Sequence, residues 1–216
     1  DEKLMEKYFE KGTLDEDEMR EGLKLGMIHH DVFPVFVMSA KKNMGSGRMM
    51  GFIDNVAPSP LEAKPEITTD GQELAYDRTK PTVLFVFKTH IEPNLGKLTF
   101  FKVISGEVNS SSELINSQTG ATEKFHQLFI MDGKTRNPVD KLVAGDIGAT
   151  LKLKDTYTNQ TLHAKGFDVT IDPIEYPAPR IRTAVVAQST GDDEKIGEVL
   201  AKIHQEDPTI EVGYSR

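Results

Sequence analysis

"GKLTFFKVISGEV", residues 96–108, follows "TVLFVFKTH", residues 82–90, and the reading of this pair decides the fold of the middle of a 216-residue chain. Both stretches are dense in β-branched and aromatic residues, the composition of strands, and the later one breaks at Ser105-Gly106, a turn signal. Working outward, "ELINSQ" (113–118), "EKFHQLFIM" (123–131), "DIGATLKL" (146–153) and "GFDVTID" (166–172) repeat the pattern. Further turn signals at Thr119-Gly120, Asp132-Gly133 and Gly145-Asp146 space these strands at roughly ten residues, the rhythm of an antiparallel barrel or sandwich. No helical pattern interrupts residues 81–175.

Upstream the pattern is different. Thr13 followed by Glu16 has capping-box spacing and predicts a helix over about 14–25, with Met19 and Leu23 on one face and Gly26 near its end. The acidic run 15–18 reads as its solvated first turn, where carboxylates suit the helix dipole. Residues 32–38, "VFPVFVM", are apolar throughout and predict a strand buried on both faces, as in a helix-covered parallel sheet. After the loop "SAKKNMG", Met49, Ile53 and Val56 recur at helical spacing until Pro58-Ser59-Pro60 stops them. Strand, loop and helix form a unit of a doubly wound fold, where the loops leaving the strand ends line the ligand crevice. A loop without acid, histidine or cysteine is therefore placed where a ligand is expected.

Residues 59–80, rich in Pro, Thr and Asp, read as a connector. Beyond "PIEYPAPR" (173–180), "IRTAVVAQS" (181–189) reads as a strand. Thr190 and Asp193 offer a second capping box, and Ile196, Val199, Leu200 and Ile203 make the stripe of a helix ending before Asp207-Pro208. "TIEVGYS" (209–215) starts another strand. Strand, helix, strand is half of a split βαβ domain. With an opening on "DEKLMEKYFE" and no initiator methionine, the chain reads as a piece cut from a larger protein.

Composition narrows the function classes. A formal charge of −8 argues against broad nonspecific nucleic-acid binding and leaves room for a local basic patch. The absence of cysteine removes disulfides and thiolate metal sites and fits a reducing compartment. No apolar run nears the ~20 residues of a membrane span. Asn109 and Asn159 head glycosylation-type triplets, which the lack of an export signal in this sequence disfavours as modification sites. His29-His30-Asp31 precedes a strand and lacks a third nearby histidine, so it is assigned to a loop rather than a metal site. "MDGKTR" (131–136) reads as a hairpin whose turn carries two basic side chains, able to touch phosphate. There is no G-x-x-x-x-G-K-[ST] phosphate loop, no zinc-type His-Glu-x-x-His and no Gly-x-Ser-x-Gly elbow.

The succession "PVFVMSAKKNMG", "APSPLEAKP", "GKLTFFKVISG", "AGDIGA", "PAPRIR" and "HQEDPT" resembles the elongation factor G family, in that family's order and at about its spacing. The resemblance implies a multidomain α/β plus all-β chain. Residues 1–58 would end a P-loop-type GTPase domain, and 59–80 would connect it to an antiparallel translation-factor β-barrel over 81–175. Residues 178–216 would begin a third domain, half of a ferredoxin-like split βαβ unit. It further implies a guanine-base loop at Ser39, Ala40 and Lys41, where small side chains let backbone amides reach the base carbonyl. Two departures stand out: Met38 replaces the glycine usual before Ser39, and Lys124 and Gln127 stand where the family commonly has arginines. Lys124, Lys134 and Arg136 are the implied contacts to ribosomal RNA.

By the same resemblance the whole protein would be a cytoplasmic monomer that uses GTP or GDP with magnesium. It would bind the small ribosomal subunit and act indirectly on tRNA and mRNA, while this segment alone would be inactive, with no catalytic residue, metal site or tightly bound cofactor. The alternatives are a recycling, rescue or ribosomal-protection GTPase, or a non-enzymatic β-barrel interaction module.

Overall fold

The computed structural model describes residues 2–92, 96–187, 189 and 192–213. The chain divides into two compact units, one ending at Lys64 and one starting at Pro65. In the first, α1 (Glu2–Lys11) is followed by α2 (Glu16–Ile28) and α3 (Ser46–Asn55). The capping box at the start of α2 lies two residues later than Thr13 and Glu16 predict. The Glu18 amide donates to the Asp15 carboxylate at 2.8 Å and the Asp15 amide to the Glu18 carboxylate at 3.1 Å. Asp outranks Thr as an N-cap, and it prevails here. Thr13 instead donates to the Leu14 carbonyl. Nor is the acidic run wholly solvated: Glu18 is buried and meets the α1 lysines Lys7 at 2.9 Å and Lys11 at 3.8 Å.

α2 overruns Gly26 by two residues and ends in a Schellman motif. His30, at φ 63°, donates to Met27 O, and Asp31 donates to Gly26 O at 2.8 Å. His29 and His30 thus terminate a helix. Residues 32–38 form no ladder and no regular element, with Val35 88% and Val37 97% exposed. A strand buried on both faces needs a neighbour on each side, and no described segment of this unit supplies one.

The second unit is mostly antiparallel sheet. Its strands are β1 (Glu66–Ile67), β2 (Glu73–Leu74), β3 (Val83–Glu92), β4 (Gly96–Ser105), β5 (Glu107–Asn109) and β6 (Glu113–Asn116). They continue through β7 (Thr122–Lys124), β8 (Leu128–Asp132), β9 (Thr135–Val139), β10 (Lys141–Val143), β11 (Ile147–Leu151) and β12 (Gln160–His163). Eight of them form one sheet in the order β7-β6-β12-β3-β4-β11-β8-β9, while β5 pairs β10 and β1 pairs β2. In a flat sheet β7 and β8 would lie roughly 29 Å apart, six spacings of about 4.8 Å. Residues 125–127 join them, and so short a link spans at most about 14 Å. The sheet must therefore curl until its ends approach.

One core fills the inside of the curl: Leu84, Val86, Phe101, Val103, Leu114, Phe125, Leu128 and Leu162, drawn from both ends of the sheet, with Phe101 edge-on to Phe125 at 5.8 Å. A second cluster of Tyr76, Val83, Phe85, Ile104 and Ile171 packs outside it. Residues 65–80, read as a connector, supply part of that outer layer and pair Thr68 with Ile171 and Asp77 with Ser105. The four turn glycines at 106, 120, 133 and 145 all take positive φ. Gly106 also has no room for a side chain, since a Cβ would come within 2.7 Å of the backbone at Lys80 and Thr82.

Three sequence expectations change here. Residues 123–131 form two strands rather than one, because Phe125 turns into the core. Residues 166–172 make a single bridge instead of a strand, and β1, β2, β10 and β12 form where the sequence pattern predicts no strand, while β8 and β9 make the hairpin read at 131–136. The helix expected near the C-terminus forms as α4 (Asp193–Glu206), and Glu206 accepts from the Ile91 amide and lies 2.8 Å from His90 Nδ1. The second capping box includes Thr190 and Gly191, outside the described residues; Asp192 stands at the cap and accepts from the Ser189 hydroxyl at 2.7 Å. Residues 181–187 and 209–213 are not in strands, and 214 and 215 lie outside the described residues.

Candidate functional site

The loop after residues 32–38 is short and self-closed. The Ser39 amide donates to Met44 O and the Met44 amide to Ser39 O, both at 3.0 Å, and between them Ala40–Lys42 make one 3-10 turn. Asn43 reverses the chain in the left-handed region at φ 50° and takes the Ser46 hydroxyl on its side-chain oxygen at 2.6 Å. The leading amides of such a turn have no partner within it, and the Ser39 side chain does not cap them. Ala40 and Lys41 are exposed and Ser39 is half-buried. Among the described residues Lys41 and Lys42 have no ion pair. The loop therefore offers amides without a partner in the turn, a hydroxyl and two cations, a set suited to a carbonyl oxygen or an anion. Met38 sits behind it: a Cβ on Gly45 (φ 81°) would meet Met38 Cβ and Val37 O at 3.1 Å. The bulk that departs from the family pattern thus abuts the glycine that starts α3.

The basic candidates are placed unequally. Lys124, in β7, is paired with Glu113 opposite it on β6 at 3.1 Å. Arg136, in β9, is paired with Glu92 at the end of β3, and its Nε is buried without a partner. Lys134, in the β8–β9 turn, is exposed and unpaired among the described residues. No hydrogen bond or ion pair joins these three, and the side chain of Gln127 is exposed.

A buried polar knot had no signal in the sequence pattern. Glu123 accepts from the Lys154 amide (2.9 Å), the Asp155 amide (2.7 Å) and the Thr156 hydroxyl (2.8 Å). Asn116 donates to Asp155 O, Thr156 Oγ1 and Gln160 Oε1. Lys97 donates to Thr156 O at 2.7 Å and lies 4.1 Å from the Tyr157 ring centre; burial pushes its ammonium below the usual lysine range. These groups are fully committed to holding residues 152–160.

Two family models match in tandem: elongation factor G domain 2 over residues 81–165, and elongation factor G domain III over residues 176–216. The chain belongs to the elongation factor G family. A crystal structure from Thermus thermophilus is similar at TM-score 0.79 and 21% identity, over 99% of this chain and 30% of that one. This elongation factor G chain thus spans about 30% of the length of the solved chain it matches, and at that identity the likeness concerns the fold. The curled sheet is the domain 2 barrel, and α4 lies in domain III.

Proposed function

We propose that this chain is part of a ribosomal translocation factor, a GTPase of the translation cycle that couples GTP binding and hydrolysis to movement of tRNA and mRNA. The observation that carries the reading is the succession, in order, of elongation factor G domains 2 and III. The loop geometry supports the finer part: the uncapped amides at Ala40 and Lys41 suit the guanine carbonyl, and the Lys41 stem can cover the face of the base. GTP or GDP with magnesium would be the ligand of the whole protein. Here the residues present fit the base alone, since the sequence has no phosphate loop.

The barrel serves as the docking body on the small ribosomal subunit, in a cytoplasmic, monomeric factor. Lys134 is its leading phosphate contact, because Lys124 and Arg136 already have carboxylate partners. Among the described residues no helix is long and apolar enough to cross a membrane. The test is ribosome pelleting with the intact factor. Lys134→Glu is expected to weaken binding, to flatten its dependence on salt and to leave the melting temperature unchanged. Arg136→Glu is expected to lower the melting temperature as well, by stranding Glu92. Unchanged binding by Lys134→Glu removes that contact.

A further inference from the structure

Away from the loop and the basic hairpin, a cleft of about 490 Å³ opens on the barrel unit. Its walls are the turn joining β1 to β2 (Thr68, Asp70, Gln72), the end of β6 with the turn after it (Asn116, Ser117), and the chain from His163 to Thr170. Nothing in the base-reading or ribosome-docking proposal uses it.

His163 is the informative group. It is only 3% exposed, and its Nδ1 lies 3.0 Å from the Ala164 carbonyl. A carbonyl can only accept, so Nδ1 carries the proton and Nε2 of the neutral ring is an acceptor. Among the described residues Nε2 has no protein partner, yet it is not one of the sealed, unsatisfied atoms, which are Thr99 Oγ1 and Arg136 Nε. It is therefore reachable from outside, and His163 lines the cleft. Two carboxylates line the same space, Asp70 and Asp168, the latter 3.8 Å from Nδ1, together with Thr68, Thr69, Ser117 and Phe167. Asp70 is held by the Thr68 hydroxyl and by the Gln72 amide at 2.7 Å, and Thr68 keeps its carboxyl below the ordinary range. No lysine or arginine lines the space.

We propose that this cleft binds the guanidinium or ammonium group of a basic segment of a partner polypeptide. The imidazole Nε2 accepts one N–H, the carboxylates supply the countercharge, and the Phe167 ring offers its face to the cation. An acceptor-rich, acidic wall repels phosphate, so nucleic acid does not fit here. The cleft also exceeds the volume of one ion and admits a side chain with the backbone on either side of it.

Nitrogen NMR of histidine-labelled full chain tests this with three probes: acetyl-Gly-Arg-Gly amide, spermidine and inorganic phosphate. The expected result is a millimolar, saturable shift of His163 Nε2 with the arginine peptide and none with its Gly-Gln-Gly counterpart. Asp168→Asn, at a side chain 90% exposed and so safe for folding, and Asp70→Asn are each expected to weaken the peptide roughly threefold, as loss of one exposed charge pair does. Absence of a saturable shift, equal affinity in both variants and the wild type, preference for phosphate, or binding of spermidine without the peptide would each overturn the proposal.

Discussion

Glu62 shows how one carboxylate can hold a chain reversal. It accepts from the Ser59 amide at 2.8 Å and from Lys24 Nζ at 2.9 Å, and these bonds, the backbone one first, lower its pKa from 4.5 to about 2. A carboxyl depressed in the folded state stabilises that state above its unfolded pKa and loses the contribution as pH falls through the folded value. Glu62→Gln is therefore expected to lower the melting temperature of the chain at pH 6, and the gap from wild type should close between about pH 4.5 and pH 2. A gap that persists unchanged at pH 2 contradicts the assignment. Residue-scale features of this kind were partly legible. Pro58-Ser59-Pro60 marked the stop and Ser59 and Glu62 have capping-box spacing, but the second partner of Glu62, Lys24, lies 38 positions away, and no local pattern reports it.

The elements repeat the point at a larger scale. Periodicity found α2, α3 and α4 because an amphipathic stripe is a local property, whereas the start of α2 was misplaced because two overlapping sequences, at Thr13 and Asp15, could both cap it. Asp15→Ala is expected to cost about 1 kcal/mol in chemical denaturation. Thr13→Ala, which removes only a bond to the neighbouring carbonyl, should stay within about 0.5 kcal/mol. Equal costs would restore Thr13 as the cap. In the barrel, β3 and β4 were plain from composition. β9 was not, since "TRNPV" has one aliphatic residue and a proline; it survives as the edge of the sheet, bonded only to β8. Residues 32–38 and 181–187 have strand composition without a ladder, because composition states a preference while a strand also needs a neighbour.

At the scale of the molecule, tandem motifs in one order revealed the family, while side-chain pairing decided which basic residues are free. Three lysines and arginines looked equivalent in sequence; Glu113 and Glu92 occupy two of them. The guanine-reading loop makes its own forecast. With base contacts alone, the 216-residue chain is expected to bind fluorescent GDP more weakly than submillimolar and to hydrolyse no GTP. A submillimolar dissociation constant would show that phosphate is held by groups outside this loop.

Val83, the first residue of β3, and His163, the last of β12, are register partners, and beyond them the flanking segments stay clasped, with Thr68 bridging Ile171, the Thr69 amide donating to Thr170 O and the Asp172 amide to Ile67 O. A pull between those segments would load this outer clasp first, opening its hydrogen bonds one at a time like a zip before it reached the rung at Val83. The barrel thus carries a clasp of backbone hydrogen bonds between the chain that enters it and the chain that leaves it.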